Sequence, residues 1–236
     1  MNHLLTTATS GDEQRRAARL AVLPVGSFEQ HGDHLPLTTD TLIACAIARE
    51  IADTYPVLLL PPITVSCSHE HAAWAGTVSI SAPTLYAVVN DIYASVTAAG
   101  PTALAVVNGH GGNYVLGNAV QEANAQGRHM ALYPAKEDWE EARTAAHLTS
   151  STHEDMHAGE LETSILLHTH PDLVRPGNDT ADHTAHDRRH LPTTGLHHYT
   201  KTGVIGRPSQ GTAEKGKIIL DSLTRNFAKV AQLLST

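Results

Sequence analysis

A group of metal-binding side chains follows the first apolar run of the chain. Glu29, His31, Asp33, His34 and Asp40 lie close together in the sequence. Their carboxylate oxygens and imidazole nitrogens are donors that suit zinc, manganese and ferrous iron. Glu29 and His31 are two positions apart, so in an extended chain both side chains leave on one face. A polar surface loop after a strand would have a similar composition, and two later motifs favour the metal site.

The second motif is a glycine-rich stretch at 108–113, Asn-Gly-His-Gly-Gly-Asn, which joins a predicted strand to a predicted helix. His110 is a candidate metal ligand. The backbone N–H groups of Gly111 and Gly112 are candidate donors to a developing oxyanion, and Asn113 is a candidate cap or orienting residue. A nucleotide-binding turn is the alternative, but the stretch lacks both the GxGxxG order and the P-loop lysine.

The third motif, His-Ala-Gly-Glu-Leu-Glu-Thr-Ser at 157–164, carries two glutamates, Glu160 and Glu162. In a helix the two side chains point in different directions, so one of them completes a metal site and the other is solvated. We favour Glu162, because the apolar residues 165–167 make this a core helix and a carboxylate near the interior needs a cation. The choice between the two stays open here.

These motifs together supply two imidazoles and three carboxylates as candidate metal ligands: Glu29, His31, Asp40, His110 and Glu162. A carboxylate at the position of Asp40 can bridge two ions. Two divalent ions about 3.5–4 Å apart would activate a water and polarise a carbonyl. Five protein ligands with open positions fit a catalytic site better than a closed structural one.

A further group of ligand type, His-Glu-His at 69–71, precedes Trp74. His71 and Trp74 are candidates for the wall of a substrate pocket, and an exposed polar loop is the alternative. Five later histidines have no spacing that indicates a site and are interpreted as surface residues: His183, His186, His190, His197 and His198.

Apolar runs alternate with amphipathic stretches along the chain, which predicts an α/β fold with a largely parallel sheet and helices on both faces. The predicted strands are 19–25, 57–61, 77–80, 103–107 and 128–133. The predicted helices are a short one within 1–19, then 39–55 (capped by Thr39 or Asp40), 83–99, one ending near 126, 158–168 and 212–234. Residues 175–209 are predicted to form a long excursion that covers a site or an oligomer contact. In such sheets, sites lie at the carboxyl ends of the strands.

Composition limits the classes of function. The 236 residues, 1–236, fit one domain. A formal net charge of −8 without a basic patch argues against nucleic acid or an anionic membrane as a partner. No apolar run is long enough to span a membrane and no signal segment is evident, so we expect a cytoplasmic protein. Two cysteines do not make a disulfide framework, and Cys45 is expected to fill the core.

Four stretches, LPVGSFEQHGDHLPLTTDT, HEHAAWAGTVSIS, VVNGHGGN and HAGELETSILLH, resemble the creatininase (creatinine amidohydrolase) family in the order that family shows. The resemblance implies a three-layer α/β/α sandwich with a mostly parallel central sheet. It also implies two divalent ions per subunit, with zinc first and manganese or iron as alternatives. The implied reaction is hydrolysis of a C–N amide bond in a small-molecule substrate, and the implied assembly is a homo-oligomer, hexamers included.

The resemblance also assigns residue roles. Glu29 and His110 would hold one metal, His31 and Glu162 would hold the other, and Asp40 would bridge them. His157 resembles the family's catalytic histidine, which carries a proton to the departing nitrogen; a pKa in the neutral range suits that task.

One departure concerns the substrate. True creatininases have a glutamate where this chain has Gly112, and their aromatic substrate segment has only Trp139 as a candidate here. The Gly-Gly form is more similar to the branch with the mycofactocin-system peptidase and formamide hydrolases. The alternatives are therefore a peptidase acting on a modified peptide and, in another class, a metal-binding or ligand-binding protein without turnover.

Overall fold

The computed structural model describes residues 5–234, and residues 1–4, part of the segment predicted to hold a short helix, lie outside this range. Four strands form one parallel sheet in the order β2-β1-β3-β4. The strands are β1 (Leu20–Val25), β2 (Val57–Leu59), β3 (Ala103–Asn108) and β4 (Met130–Tyr133). The helices within the described range are α1 (Ser10–Arg16), α2 (Thr39–Thr54), α3 (Ala82–Ala99), α4 (Val115–Ala125), α5 (Lys136–Ala145), α6 (Glu160–Thr169), α7 (Leu191–Thr194) and α8 (Ala213–Leu233).

Both faces of the sheet are covered by helices. Side chains alternate along a strand, so Val22 packs with α2, α6 and α8 on one face, and Leu23 packs with α3 and α4 on the other. Both residues are at most 1% exposed. Cys45 is buried, as predicted. The arrangement confirms the predicted α/β fold with a parallel sheet between two helical layers.

Some predicted elements differ from the structure. Residues 77–80 are not a strand, because Val78 makes only an isolated antiparallel bridge to Phe28. Helix α5 was not predicted. Helix α6 begins at Glu160 rather than at 158, since Ala158 has a φ of +53°, outside the helical region. The N-cap of α2 is Thr38, which makes no capping hydrogen bond through its side chain, so the predicted cap at Thr39 or Asp40 is wrong.

The segment 175–209 is less irregular than predicted. It contains α7 and two short 3₁₀ turns, Asn178–Thr180 and Leu196–His198. A third turn, Pro171–Leu173, lies just before the segment, and a fourth, Pro208–Gln210, lies at its end. Leu191, Leu196 and Ile205 form a small apolar cluster with Trp74, which ties the segment to the body of the protein. Among residues 5–234, no helix has the length and apolar character needed to cross a bilayer.

Strands β1 and β3 are neighbours in register, with Val25 opposite Asn108. Because both strands are parallel, the loops that follow them leave the sheet at the same edge. A close backbone approach then joins β3 to α2: a Cβ atom at Gly109 would lie 2.4 Å from the carbonyl oxygen of Asp40. Only glycine permits this approach, which places the first turn of α2 beside the loop after β3.

Candidate metal centre

The five candidate ligands meet at this edge of the sheet. The loop after β1 supplies Glu29 and His31, and the loop after β3 supplies His110. Asp40 stands in the first turn of α2 and Glu162 in the first turn of α6. Three sets of potential ligand atoms each lie within 4.8 Å of one another: Glu29 with His31 and His157, Glu29 with Asp40 and His110, and His31 with Asp40 and Glu162.

Glu29, His31 and Asp40 each belong to two of these sets, and Asp40 contacts an imidazole with each of its oxygens. Its Oδ1 lies 3.1 Å from Nε2 of His31, and its Oδ2 lies 3.1 Å from Nδ1 of His110. Ser27 Oγ donates a hydrogen bond of 2.6 Å to Oδ2. Asp40 is 1% exposed, so these three side chains replace water around the carboxylate.

Glu29 is fully buried. His71 Nε2 lies 3.1 Å from its Oε1 and His110 Nε2 lies 3.2 Å from its Oε2, yet neither oxygen accepts a hydrogen bond of acceptable geometry. Burying a carboxylate without hydrogen bonds or a cation is costly. The two unsatisfied oxygens therefore fit a divalent cation, and the imidazole and carboxylate donors around them are of the type that zinc and manganese accept.

The two glutamates of the third motif lie in different surroundings. Glu162 Oε2 is 3.9 Å from Nε2 of His31 and accepts a hydrogen bond of 2.6 Å from the N–H of Ala158. Glu160 is fully buried elsewhere, where Lys215 Nζ lies 2.7 Å from Oε1 and the N–H of Ser150 donates to Oε2 at 3.1 Å. The geometry thus places Glu162, and not Glu160, beside the other candidate ligands.

The charges of this cluster shift one another's pKa values. Burial would lower the pKa of His31, but the carboxylates of Asp40 and Glu162 outweigh burial and raise it to about 9. Burial likewise opposes the charged form of Asp40, but His31 and His110 hold its pKa well below the ordinary value. Loss of solvent raises the pKa of Glu162 to about 8, against the pull of His31. His31 and Glu162 therefore keep protons near neutral pH that a cation would displace.

His157 lies against the imidazoles of the cluster, with ring centroids 4.2 Å from His31 and 4.4 Å from His71. Its Nε2 lies 2.7 Å from the carbonyl oxygen of Gln30, so Nε2 carries the proton and donates it. Nδ1 is left facing Glu29 Oε1 at 3.8 Å. Burial first, and then the neighbouring His31 and His71, hold the pKa of His157 well below the ordinary value, not in the neutral range that we expected.

His71 lies nearer the ligands than the predicted pocket wall. Gln30 Nε2 donates to His71 Nδ1 at 2.9 Å, which leaves His71 Nε2 as the donor that faces Glu29. Trp74 is further out, with its ring centroid 6.3 Å from that of His71, and it packs on the segment 175–209. Gln30 was not predicted to be part of the site, although it lies between Glu29 and His31 in the sequence.

The remaining predicted site residues lie around this cluster. Gly111 is exposed, and α4 begins only at Val115, so the amides of Gly111 and Gly112 belong to the preceding turn and not to a helix start. Asn113 joins three loops, since its Oδ1 accepts from the N–H of Cys67 and its Nδ2 donates to Gly26 and to Asn108.

Two other groups of the first motif lie outside the cluster. Asp33 is exposed, and His34 Nε2 lies 3.3 Å from Thr163 Oγ1.

The segment 175–209 contacts the site at two points. Ile205 pairs with the backbone of His157, and the carbonyl oxygen of Gly203 accepts a hydrogen bond from Gln30 Nε2.

Two cavities lie near the cluster. One, of about 430 Å³, is lined by Glu70, Gly112, Tyr114 and His197 among others. The other, of about 310 Å³, is lined by His110, Gly111, His157, Glu162 and Trp139 among others. Two candidate ligands, His110 and Glu162, line the second cavity, so it is the space through which a substrate can reach the cluster.

Comparison with known proteins identifies relatives of this chain. A family model described as creatininase, creatinine amidohydrolase, matches residues 4–231. A mycofactocin precursor peptide peptidase of Mycobacterium ulcerans (strain Agy99) is 36% identical over 211 residues, which cover 84% of this chain and 78% of that protein. A creatinine amidohydrolase of Pseudomonas putida is 27% identical over 169 residues, 65% of each chain.

Solved structures show the same fold. A crystal structure of creatinine amidohydrolase (creatininase) has a TM-score of 0.81 at 22% identity and covers 100% of both chains. A structure titled creatininase Mn has a TM-score of 0.79 at 23% identity over 96% of both chains, and a Zn-Zn type of a creatininase mutant has 0.79 at 22% over 98% of both. The chain therefore belongs to the creatininase family, whose members are hydrolases acting on C–N amide bonds.

Proposed function

We propose that this protein is an amidohydrolase that depends on two divalent cations, with Glu29 and His110 holding one, His31 and Glu162 the other, and Asp40 shared between them. The observation that carries the proposal is the buried carboxylate of Glu29, whose two oxygens lack hydrogen bonds although imidazoles stand 3.1 and 3.2 Å away. Zinc is the first choice and manganese the second, because both accept mixed imidazole and carboxylate donors. Such ions supply a Lewis acid for the scissile carbonyl and an acidified water.

The chain's own residues then handle the proton. Because Nε2 of His157 donates to the carbonyl of Gln30, Nδ1 is the nitrogen available to the reacting groups. A lowered pKa keeps this ring neutral, so Nδ1 is free to take the proton that the attacking water gives up, and the low pKa favours its onward transfer to the departing nitrogen. The amides of Gly111 and Gly112, in the turn beside His110, remain our candidates for stabilising the oxyanion.

A peptide is the second candidate for the substrate, after a cyclic or small linear amide. The relatives that are 36% identical are named as peptidases of a precursor peptide, whereas the creatinine amidohydrolase is 27% identical. One cavity of about 310 Å³ reaches His110 and Glu162, and another of about 430 Å³ reaches the neighbouring Glu70 and Gly112, so the surroundings of the cluster have room for more than a small amide.

The experiment is an amine-release assay on the purified full chain loaded with zinc or manganese, with creatinine, formamides and short peptides as substrates. We expect hydrolysis of an amide in this panel, lost in His157→Ala and kept in His190→Ala, whose side chain is exposed. Two bound ions without release of amine from any substrate would contradict the proposal and favour a metal-binding protein without turnover. Light scattering on the same sample tests the homo-oligomer that we also propose.

A further inference from the structure

Glu70, in the 3₁₀ turn His69–His71, is not among the candidate ligands, yet it lies against the cluster. Its carboxylate occupies the space above Gly112. A Cβ atom at position 112 would stand 2.0 Å from Glu70 Oε1, closer than a real Cβ approaches any atom. The observed position of Glu70 therefore requires glycine at 112.

The group that Glu70 reaches across Gly112 is His110. Glu70 Oε1 lies 3.5 Å from Nε2 of His110, and the side chain of Glu70 is only 18% exposed. The carbonyl oxygen of Cys67 lies 2.9 Å from the same nitrogen, and Glu29 Oε2 lies 3.2 Å from it. The other ring nitrogen, Nδ1, faces Asp40 at 3.1 Å. A carbonyl oxygen can only accept, so Nε2 carries the proton and Nδ1 is left free to bind a cation.

The turn that carries Glu70 is fixed at both ends. The N–H of His71 donates to the carbonyl of Ser68 at 3.1 Å, and the N–H of Ala72 donates to that of His69 at 3.1 Å. On the far side, His71 is anchored beside Glu29. A carboxylate on so constrained a turn keeps one place relative to His110, unlike a carboxylate on an exposed loop.

An imidazole that binds a metal commonly places its second nitrogen against a carboxylate or carbonyl, which fixes the ring and makes it a better donor. This inference rests on the metal centre proposed above. We propose that Glu70 is a positioning residue: with the carbonyl of Cys67 it holds the Nε2–H side of His110, which leaves Nδ1, beside Asp40, for the cation that Glu29, Asp40 and His110 share. Gly112 serves the same purpose by leaving space for the carboxylate.

The test is titration calorimetry of metal-free full chain with zinc and with manganese, supported by elemental analysis. The variant is Glu70→Gln, which keeps the shape and removes the charge, and the matched control is His69→Gln on the exposed side of the same turn. We expect Glu70→Gln to lower the affinity for one of the two ions by about 10- to 100-fold and to leave the affinity for the other within about twofold. His69→Gln should change neither affinity.

Two results would overturn the proposal. In one, Glu70→Gln binds both ions as tightly as the unmodified chain. In the other, it loses both equally and its metal-free form unfolds at a lower temperature, which is the signature of a merely structural role. Two ions bound by the unmodified chain without amide hydrolysis would remove the proposed function and leave the role of Glu70 intact, so the two failures are distinguishable.

A double-mutant cycle gives a second test. The Cβ of Gly112→Ala takes the space of the Glu70 carboxylate and also presses on His110, 2.4 Å from its Nε2. Because Gly112→Ala already displaces the Glu70 carboxylate, adding Glu70→Gln to that variant should change the affinity for the more weakly bound ion by less than about twofold. Full additivity of the two substitutions would contradict the proposed coupling.

Discussion

Oδ1 of Asp40 lies 3.1 Å from Nε2 of His31, and the two side chains are 2% and 0% exposed. The other oxygen of Asp40 faces His110, so one carboxylate links groups from the loop after β1 and the loop after β3. Neighbouring parallel strands bring these loops together. The fold thus assembles, from distant parts of the sequence, a buried cluster of carboxylates and imidazoles.

The two glutamates at the start of α6 are predicted to have separable roles. Glu162→Gln should weaken or remove one bound ion, because this carboxylate faces His31. Glu160→Gln should keep both ions and lower the free energy of unfolding by about 3 kcal/mol, because it breaks a buried ion pair with Lys215. Elemental analysis and chemical denaturation of both variants test this. Loss of metal in Glu160→Gln alone would reverse the assignment.

His157 should be needed for turnover and not for metal binding. His157→Gln should lower kcat by about 10²- to 10⁴-fold, the range for a group that transfers protons, with the metal content unchanged. The measurement is steady-state kinetics together with elemental analysis of the same preparation. Since Nδ1 of His157 lies within reach of Glu29, a drop to one ion per chain would instead make His157 a ligand.

The stability of the metal-free protein should fall as pH rises between about pH 7 and pH 9. The folded pKa of His31 is about 9 against an ordinary 6.5, and that of Glu162 is about 8 against 4.5. The folded state therefore keeps protons that the unfolded state has lost, and each such proton costs about 1.4 kcal/mol of stability per pH unit. His157, with its lowered pKa, is neutral in both states over this range.

Thermal unfolding of the metal-free chain at several pH values tests this directly. A cation needs His31 and Glu162 without their protons, so metal affinity should rise over the same range and binding should release protons. Calorimetry in buffers of different ionisation enthalpy counts those protons. A metal-free protein whose stability is constant or rises from pH 7 to pH 9 would show that these groups are not coupled as the structure indicates.

Gly109 should be far less tolerant of a side chain than Gly111. A Cβ at Gly109 would lie 2.4 Å from the carbonyl oxygen of Asp40, whereas a Cβ at Gly111 meets nothing within 4 Å. Gly109→Ala should therefore push α2 away from β3, lower the free energy of unfolding by about 1–3 kcal/mol and weaken metal binding through Asp40. Gly111→Ala is the control, and equal denaturation midpoints for the two variants would refute the argument.

Much of the fold is predictable from the sequence because local signals agree with it. The apolar run before Gly26 and the helical spacing from Thr39 onward correspond to β1 and α2. Residues 77–80 have the pattern of a strand but find no neighbouring strand within the described chain, since only Val78 bridges to Phe28. Strand pairing is a property of the tertiary structure, which a short pattern does not contain.

The site shows the same limit. Glu29, His31 and Asp40 stand out by type and spacing, since they share one segment. The sequence could not choose between Glu160 and Glu162, because the partner that separates them, Lys215, is remote in the chain. Nor does the sequence show that Glu70 lies over Gly112, although the Glu-His pair at 70–71 and the missing side chain at 112 were both visible.

The most direct test of the central claim is anomalous diffraction from crystals of the protein prepared with zinc. We predict two peaks about 3.5–4 Å apart, one beside Glu29 and His110 and the other beside His31 and Glu162, with Asp40 contacting both. Anomalous density confined to exposed histidines, with none at Asp40, would contradict the account.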